Sequence, residues 1–167
     1  MKLIHSHLDY FTKMSISQRL KSSYKMLTVA AKLLPGALPP SRATPGSSGY
    51  DLHAYLNKPL NISPGQTACV QTGVHLSIPF GWEGQVRSRS GLSVKGIYVL
   101  NSPGTIDSDY RGEIKVVLHS VRSEDFQIEP NMRIAQLVFA EVPSVDWTYQ
   151  ELDSTQRGTG GFGSTGL

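Results

Sequence analysis

Apolar residues recur along this chain in short runs without a helical period. Segments 27–34, 50–56, 67–71, 74–78, 84–88, 97–100, 113–119, 126–128 and 134–141 are rich in β-branched and aromatic side chains. Turn-forming clusters separate them, among them Pro35-Gly36, Thr44-Pro45-Gly46, Ser63-Pro64-Gly65, Pro79-Phe80-Gly81, Ser102-Pro103-Gly104 and Glu129-Pro130-Asn131. Many short strands with regular turn signals predict an all-β fold, a sandwich or jelly roll. One short helix is predicted over 91–95, opened by Ser90 and stopped by Gly96. The last eleven residues contain five glycines. Glycine loses the most conformational freedom on ordering, so this stretch is not expected to form a strand of the body. The chain divides into a variable head, 1–26, a β body, 27–153, and a mobile C-terminal lid, 154–167.

Composition narrows the picture. A chain of 167 residues is the size of one domain, and 39% hydrophobic residues suffice for a core. No apolar run reaches eighteen residues, so no membrane partner is expected. The lone Cys69 excludes an intramolecular disulfide and fits a reducing, intracellular setting. Between Ala68 and Val70 it reads as a buried small hydrophobe. The net charge of +3 comes from the head. Residues 1–40 hold six Lys/Arg against one acid, and the other 127 hold ten against twelve. A slightly acidic body lacks the clustered basic face of a nucleic-acid groove, so no nucleic-acid partner is expected. The basic, hydroxyl-rich head reads either as an organellar transit peptide, mitochondrial for instance, or as an extension upstream of Met14 or Met26. Without an organellar address the protein is expected in the cytoplasm.

Five segments carry candidate chemistry. The tail runs Arg157-Gly158-Thr159-Gly160-Gly161-Phe162-Gly163-Ser164-Thr165. Its Gly158-x-Gly160-x-x-Gly163 matches the dinucleotide fingerprint formally, but lacks the strand before it and the helix and acid after it. What remains is a guanidinium for phosphate, a ring for a base and backbone N–H groups open to anions. A mobile lid accounts for all three; a plain linker accounts for the glycines alone. The stretch 101–112 lies between two strand patterns and reads as a β-hairpin. Its free backbone edge suits a pyrimidine, Asp107 suits a general base, and Tyr110 suits a sugar face that excludes a 2′-hydroxyl. An ordinary Asp/Gly turn is the other reading.

Arg89 and Ser90 precede the short helix, where free N–H groups attract anions; Arg89 also reads as a structural ion-pair partner. Asp51, at the start of a strand, is a hard oxygen ligand suited to Mg²⁺ directly or through water. In Arg133-Ile134-Ala135-Gln136-Leu137 the alternation puts Arg133 and Leu137 on one face and Gln136 on the other. His5, His7, His53, His75 and His119 show no zinc spacing.

In this order the five segments closely resemble the five motifs of the trimeric deoxyuridine triphosphatase (dUTPase) family, over roughly residues 27–167. The resemblance implies a jelly-roll subunit of the β-clip type and a homotrimer whose active sites are shared between subunits. It implies Mg²⁺-dependent hydrolysis of dUTP to dUMP and diphosphate, which keeps uracil out of DNA and supplies dUMP for thymidylate synthesis. By the same resemblance Asp51 holds the metal through its water shell, with substrate phosphates as direct ligands. Arg89, Ser90, Gly91 and Gln136 bind phosphate. Asn101, Gly104, Thr105, Ile106 and the main chain of Lys115 read uracil. Asp107 orients the attacking water and Tyr110 packs on deoxyribose. Arg157, Phe162, Gly163, Ser164 and Thr165 close over the triphosphate and the base from a third subunit.

Ser48, Asn131 and His119-Ser120 depart from the usual family pattern. Asparagine tolerates the left-handed backbone, so the turn at Asn131 is expected to survive. Two alternatives share parts of this reading. One is a dCTP deaminase-like enzyme of the same fold, which needs a glutamate at the base and lacks the tail. The other is a non-catalytic dUTP-sensing regulatory protein.

Overall fold

The computed structural model describes residues 26–164. The head, up to residue 25, and Thr165 lie outside the described residues. The elements are β1 (Ala30–Leu33), β2 (Tyr50–His53), β3 (Leu60–Ile62), β4 (Thr67–Ser77), β5 (Trp82–Arg87), α1 (Ser90–Ser93), β6 (Ile97–Val99), β7 (Gly104–Ile106), β8 (Glu113–Ser120), β9 (Phe126–Ile128) and β10 (Arg133–Glu141). They form two four-stranded sheets, β1-β4-β8-β6 and β2-β10-β5-β7, with β3 and β9 as a separate pair. All pairings between the strands are antiparallel. This is the all-β jelly roll expected from the pattern. Among the described residues no helix is long and apolar enough to cross a membrane.

The core follows the period of two. In β8, Ile114, Val116, Leu118 and Ser120 are buried while Glu113, Lys115, Val117 and His119 alternate with them. In the other sheet Leu52, Val86, Ile134, Ala135 and Leu137 join the same buried cluster. Each such aliphatic side chain contributes about 1.5–3 kcal/mol relative to exposure. Cys69 is exposed, which corrects the expectation of a buried thiol. On β4 it is Val70 that turns inward, so alternation sends its neighbour out.

Several boundaries differ from the pattern. The two runs 67–71 and 74–78 are one strand, β4, interrupted by a bulge between Gln71 and His75. Three residues there face one residue of β8, and each side of the bulge keeps its own alternation. The strands β3 and β7 are only three residues long, too short for a periodic signal. The stretch 101–112 is not a simple hairpin. Its flanks β6 and β8 do pair, but β7 leaves them and becomes the edge of the other sheet, against β5. The helix spans Ser90–Ser93 with Arg89 rather than Ser90 as its N-cap. Asn131 adopts φ 63°, so the turn that opens β10 keeps the left-handed backbone.

Gly73, in the β4 bulge, has φ 68°, and a Cβ there would run into Ala37 and Tyr55. Both the backbone and the contact exclude a side chain. Gly73→Ala is expected to lower unfolding free energy by about 2 kcal/mol. An unchanged urea midpoint would contradict this reading of the bulge.

Candidate active site

β2 and β10 lie side by side, and their register sets Asp51 opposite Gln136. Gln136 in turn pairs with Arg87 of β5, directly before the turn that carries Arg89 and Ser90. The result is a cleft of about 330 Å³ lined by Ala43, Ser47–Gly49, Asp51, Arg89, Ser90, Gly91 and Gln136. Three of the five sequence segments therefore meet in one place.

Asp51 is the centre of that place. Its side chain is 12% exposed, and each carboxylate oxygen has its own cation. Arg89 Nε lies 2.9 Å from one oxygen and Arg133 Nη1 3.1 Å from the other. Arg89 Nη1 also donates to the Arg133 carbonyl at 2.9 Å, so the two arginines are tied to each other. Taking a carboxylate out of water is costly, and the two guanidinium groups offset that cost. Arg89 thus has the structural ion pair, and its guanidinium still borders the cleft. Gln136 Nε2 donates to the Ser88 carbonyl at 2.9 Å, which holds the amide against the turn. A Cβ on Gly49 would overlap the Gln136 side chain, so only glycine permits this approach of the β2 entry to β10.

Arg133 is the residue that sequence reasoning missed. Strict alternation sets it on the face of Leu137, away from Gln136. A bulge between Arg133 and Ala135 breaks the alternation. Arg133 then pairs with His53 and shares the face of Asp51 and Gln136, while Leu137 stays in the core. The signal in the sequence was Asn131, two residues before Arg133, whose left-handed turn makes an irregular strand entry plausible. His53 stands on the same face. Burial of its imidazole pushes its pKa below the ordinary value, opposed by Asp51 and reinforced by Arg133 and Arg89. Its Nδ1 is buried without a hydrogen-bond partner. The neutral ring adds no further positive charge beside the two arginines.

The residues of the 101–112 stretch lie elsewhere. β7 is an edge strand, so one side of the Gly104–Ile106 backbone is free of strand partners. The Asn101 amide lies against Gly104. Asp107 and Asp109 are exposed and line a different cleft, with Glu83, Phe80 and residues 142–144. Tyr110 is half-exposed, and its hydroxyl donates to the Glu113 carbonyl at 3.0 Å. The main chain of Lys115 lies on β8 outside the stretch that β6 covers. Three strand spacings separate β2 from β7, and Arg87 and Gly84, which carry the two registers, are three residues apart on β5. At ~4.8 Å per strand and ~3.4 Å per residue, Asp51 and Ile106 of one chain are about 18 Å apart.

Arg157, Phe162, Gly163 and Ser164 belong to neither group. The hydrogen bonds of residues 155–164 lie within that segment, such as Arg157 Nε to the Gly160 carbonyl at 2.9 Å. Phe162 is fully exposed.

Among the described residues no group of three or more His, Cys, Asp and Glu side chains is placed to hold a metal ion. Asp51 is the one acid lining its cleft. That donor set fits Mg²⁺, which keeps several waters and takes most ligands from phosphates when they are present.

Comparison with known proteins points to one family. The dUTPase family model matches residues 37–166. A deoxyuridine 5'-triphosphate nucleotidohydrolase of Chlamydia muridarum (strain MoPn / Nigg) is 54% identical over 138 residues, 81% of this chain and 95% of that protein. One of Orientia tsutsugamushi (strain Boryong) is 52% identical over 130 residues, 77% of this chain and 88% of the relative. Among solved structures, the Staphylococcus bacteriophage 80alpha dUTPase with dUPNHPP superposes with a TM-score of 0.71 at 27% identity, covering 84% of this chain and 99% of that one. With an arginine-clamped Asp51, Gln136 beside it and a free-edged strand at Gly104–Ile106, the chain belongs to the dUTPase family.

Proposed function

We propose that this protein hydrolyses dUTP to dUMP and diphosphate, with Mg²⁺, in active sites shared between the subunits of a homotrimer. The observation that carries the shared site is the distance within one chain. The phosphate-type cleft around Asp51 and Arg89 and the base-type edge of β7 are about 18 Å apart, with β10 and β5 between them. That separation supports a nucleotide bound between halves from different copies. Exposed apolar residues after β10 support assembly too. Val145, Trp147, Tyr149 and Leu152 are 59–95% exposed on a segment without strand partners. Side chains of that size are seldom left bare in a row unless a partner covers them.

In this reading Arg89, Ser90, Gly91 and Gln136 take the phosphates. Asp51 holds the Mg²⁺ water shell, and bound Mg²⁺ offsets the charge of the triphosphate. The amide of Asn101, the backbone of Gly104–Ile106 and the main chain of Lys115 pair with the uracil edge. Tyr110 packs on deoxyribose, where a 2′-hydroxyl would collide. Asp107 orients a water and accepts its proton as oxygen attacks phosphorus and diphosphate leaves. Arg157, Phe162, Gly163, Ser164 and Thr165 close over triphosphate and base from a third copy; the tail of the described chain is free to do so. Phosphate anhydride hydrolysis depends mostly on position and charge, which is what these groups supply.

The β body of 27–153 and the lid of 154–167 are part of the same proposal, as is work in the cytoplasm. The names of the relatives favour hydrolysis over deamination or sensing alone.

Diphosphate release measured with dUTP, dCTP, dTTP and UTP tests the substrate; comparable turnover of dCTP, or ammonia from it, would overturn the assignment. Asp107→Asn is expected to reduce kcat by at least about 10²-fold while dUTP still binds. Turnover near the parent rate would remove Asp107 as the base. A chain ending after Asp153 is expected to lose about 10²–10³-fold in kcat/KM and keep its melting temperature and mass in solution. Full activity of that truncated protein would remove the lid.

A further inference from the structure

Asp107 and Tyr110 sit on a loop, yet a water and a sugar must be placed to within a fraction of an ångström. Something has to hold the loop still. Its internal bonds are local: Tyr110 N–H donates to the Asp107 carbonyl at 3.2 Å, and Arg111 Nη1 donates to the Ser108 and Tyr110 carbonyls at 2.6 and 2.8 Å. These shape the loop but do not attach it to the body.

Two side chains do attach it. The His75 ring meets the Arg111 carbonyl at 3.1 Å through Nδ1. A carbonyl can only accept, so Nδ1 carries the proton there. Glu113, whose carbonyl receives the Tyr110 hydroxyl, turns its carboxylate onto the β4 bulge. One oxygen accepts from Gly73 N–H at 2.8 Å and the other from Gln71 Nε2 at 3.3 Å. The bulge is itself fixed, since the buried Thr72 hydroxyl donates to the Ile114 carbonyl at 2.6 Å. Leu34 N–H also donates to the Gly73 carbonyl, at 2.8 Å. Both holds lie on the β8 side of the loop, at Arg111 and Glu113, and the irregularity that breaks the β4 alternation provides one of the two.

We propose that His75 and Glu113 are positioning residues for the reaction. They tie the Asp107–Tyr110 loop to the bulged strand β4 and so set both turnover and the preference for a deoxyribose over a ribose. The inference rests on the roles proposed above for Asp107 and Tyr110. It adds the groups that act through them, neither of which touches the nucleotide in that reading.

The test uses the geometry of amide side chains. Asparagine places its amide nitrogen near the site of imidazole Nδ1, and glutamine places it near Nε2. In the full-length protein with Mg²⁺, His75→Gln is expected to lower kcat/KM for dUTP about tenfold and to narrow the dUTP-over-UTP preference. His75→Asn is expected to keep both close to the parent. Glu113→Ala is expected to behave as His75→Gln does. Partial unfolding lowers the rates for both substrates equally and leaves their ratio untouched, so the ratio reads position even in a less stable variant. If His75→Asn and His75→Gln share one ratio, or Glu113→Ala keeps the parent ratio, the tie is not what sets the preference and the inference falls. Tyr110→Ala separates the two levels. If it loses the preference while His75→Gln retains it, only the inference fails. If Tyr110→Ala retains the preference, the sugar reading fails and the inference with it.

Discussion

Burial of alternate residues from two facing sheets is the constraint on which the rest of this structure depends. Ile114, Val116 and Leu118 of β8 and Ile134, Ala135 and Leu137 of β10 lie in one apolar cluster, all at most 1% exposed. Both strands are interior to their sheets, with a partner on each side. Their inward faces leave no freedom of register, because a slip by one residue would turn every buried side chain outward. The polar residues that face the cleft inherit their positions from this choice. Gln136 is opposite Asp51 because Leu137 must be opposite Tyr50 and inside.

The candidate functional residues sit where that regularity is broken. The bulge at the start of β10 turns Arg133 onto the face of Asp51, and two guanidinium groups then enclose one carboxylate. The bulge in β4 exposes a backbone N–H that the Glu113 carboxylate takes up, beside the loop of Asp107 and Tyr110. One extra residue in β10 and two in β4 re-aim a neighbour without disturbing the core on either side. Such interruptions cost sheet hydrogen bonds and are stable only because side chains replace them, here Thr72, Glu113 and Arg89.

The division of the site follows from the sheet as well. The order β2-β10-β5-β7 separates the Asp51–Arg89 cleft from the free edge of β7 by two intervening strands. The shared site proposed above rests on this separation, because the two groups lie on different parts of one chain's surface.

Much of this was legible in the residues themselves. Turn clusters at regular spacing marked an all-β chain, and the strand-forming run 113–119 marked β8. The residue types of the tail, of 101–112, of Arg89-Ser90-Gly91, of Asp51 and of Gln136 marked the candidate site, because guanidinium, carboxylate and free backbone have few other joint uses. What the sequence could not show is where the period of two stops. Cys69 pointed outward instead of inward, Arg133 changed face, and two runs proved to be one bulged strand, β4. A bulge is a matter of one or two residues whose extra length only the partner strand reveals. β3 and β7, three residues each and without a strand-forming run, are likewise recognised only by what they pair with. Local pattern determined the architecture and the chemical inventory. The tertiary structure decided which of those groups share a face, because long-range register, not local preference, sets the direction of each side chain.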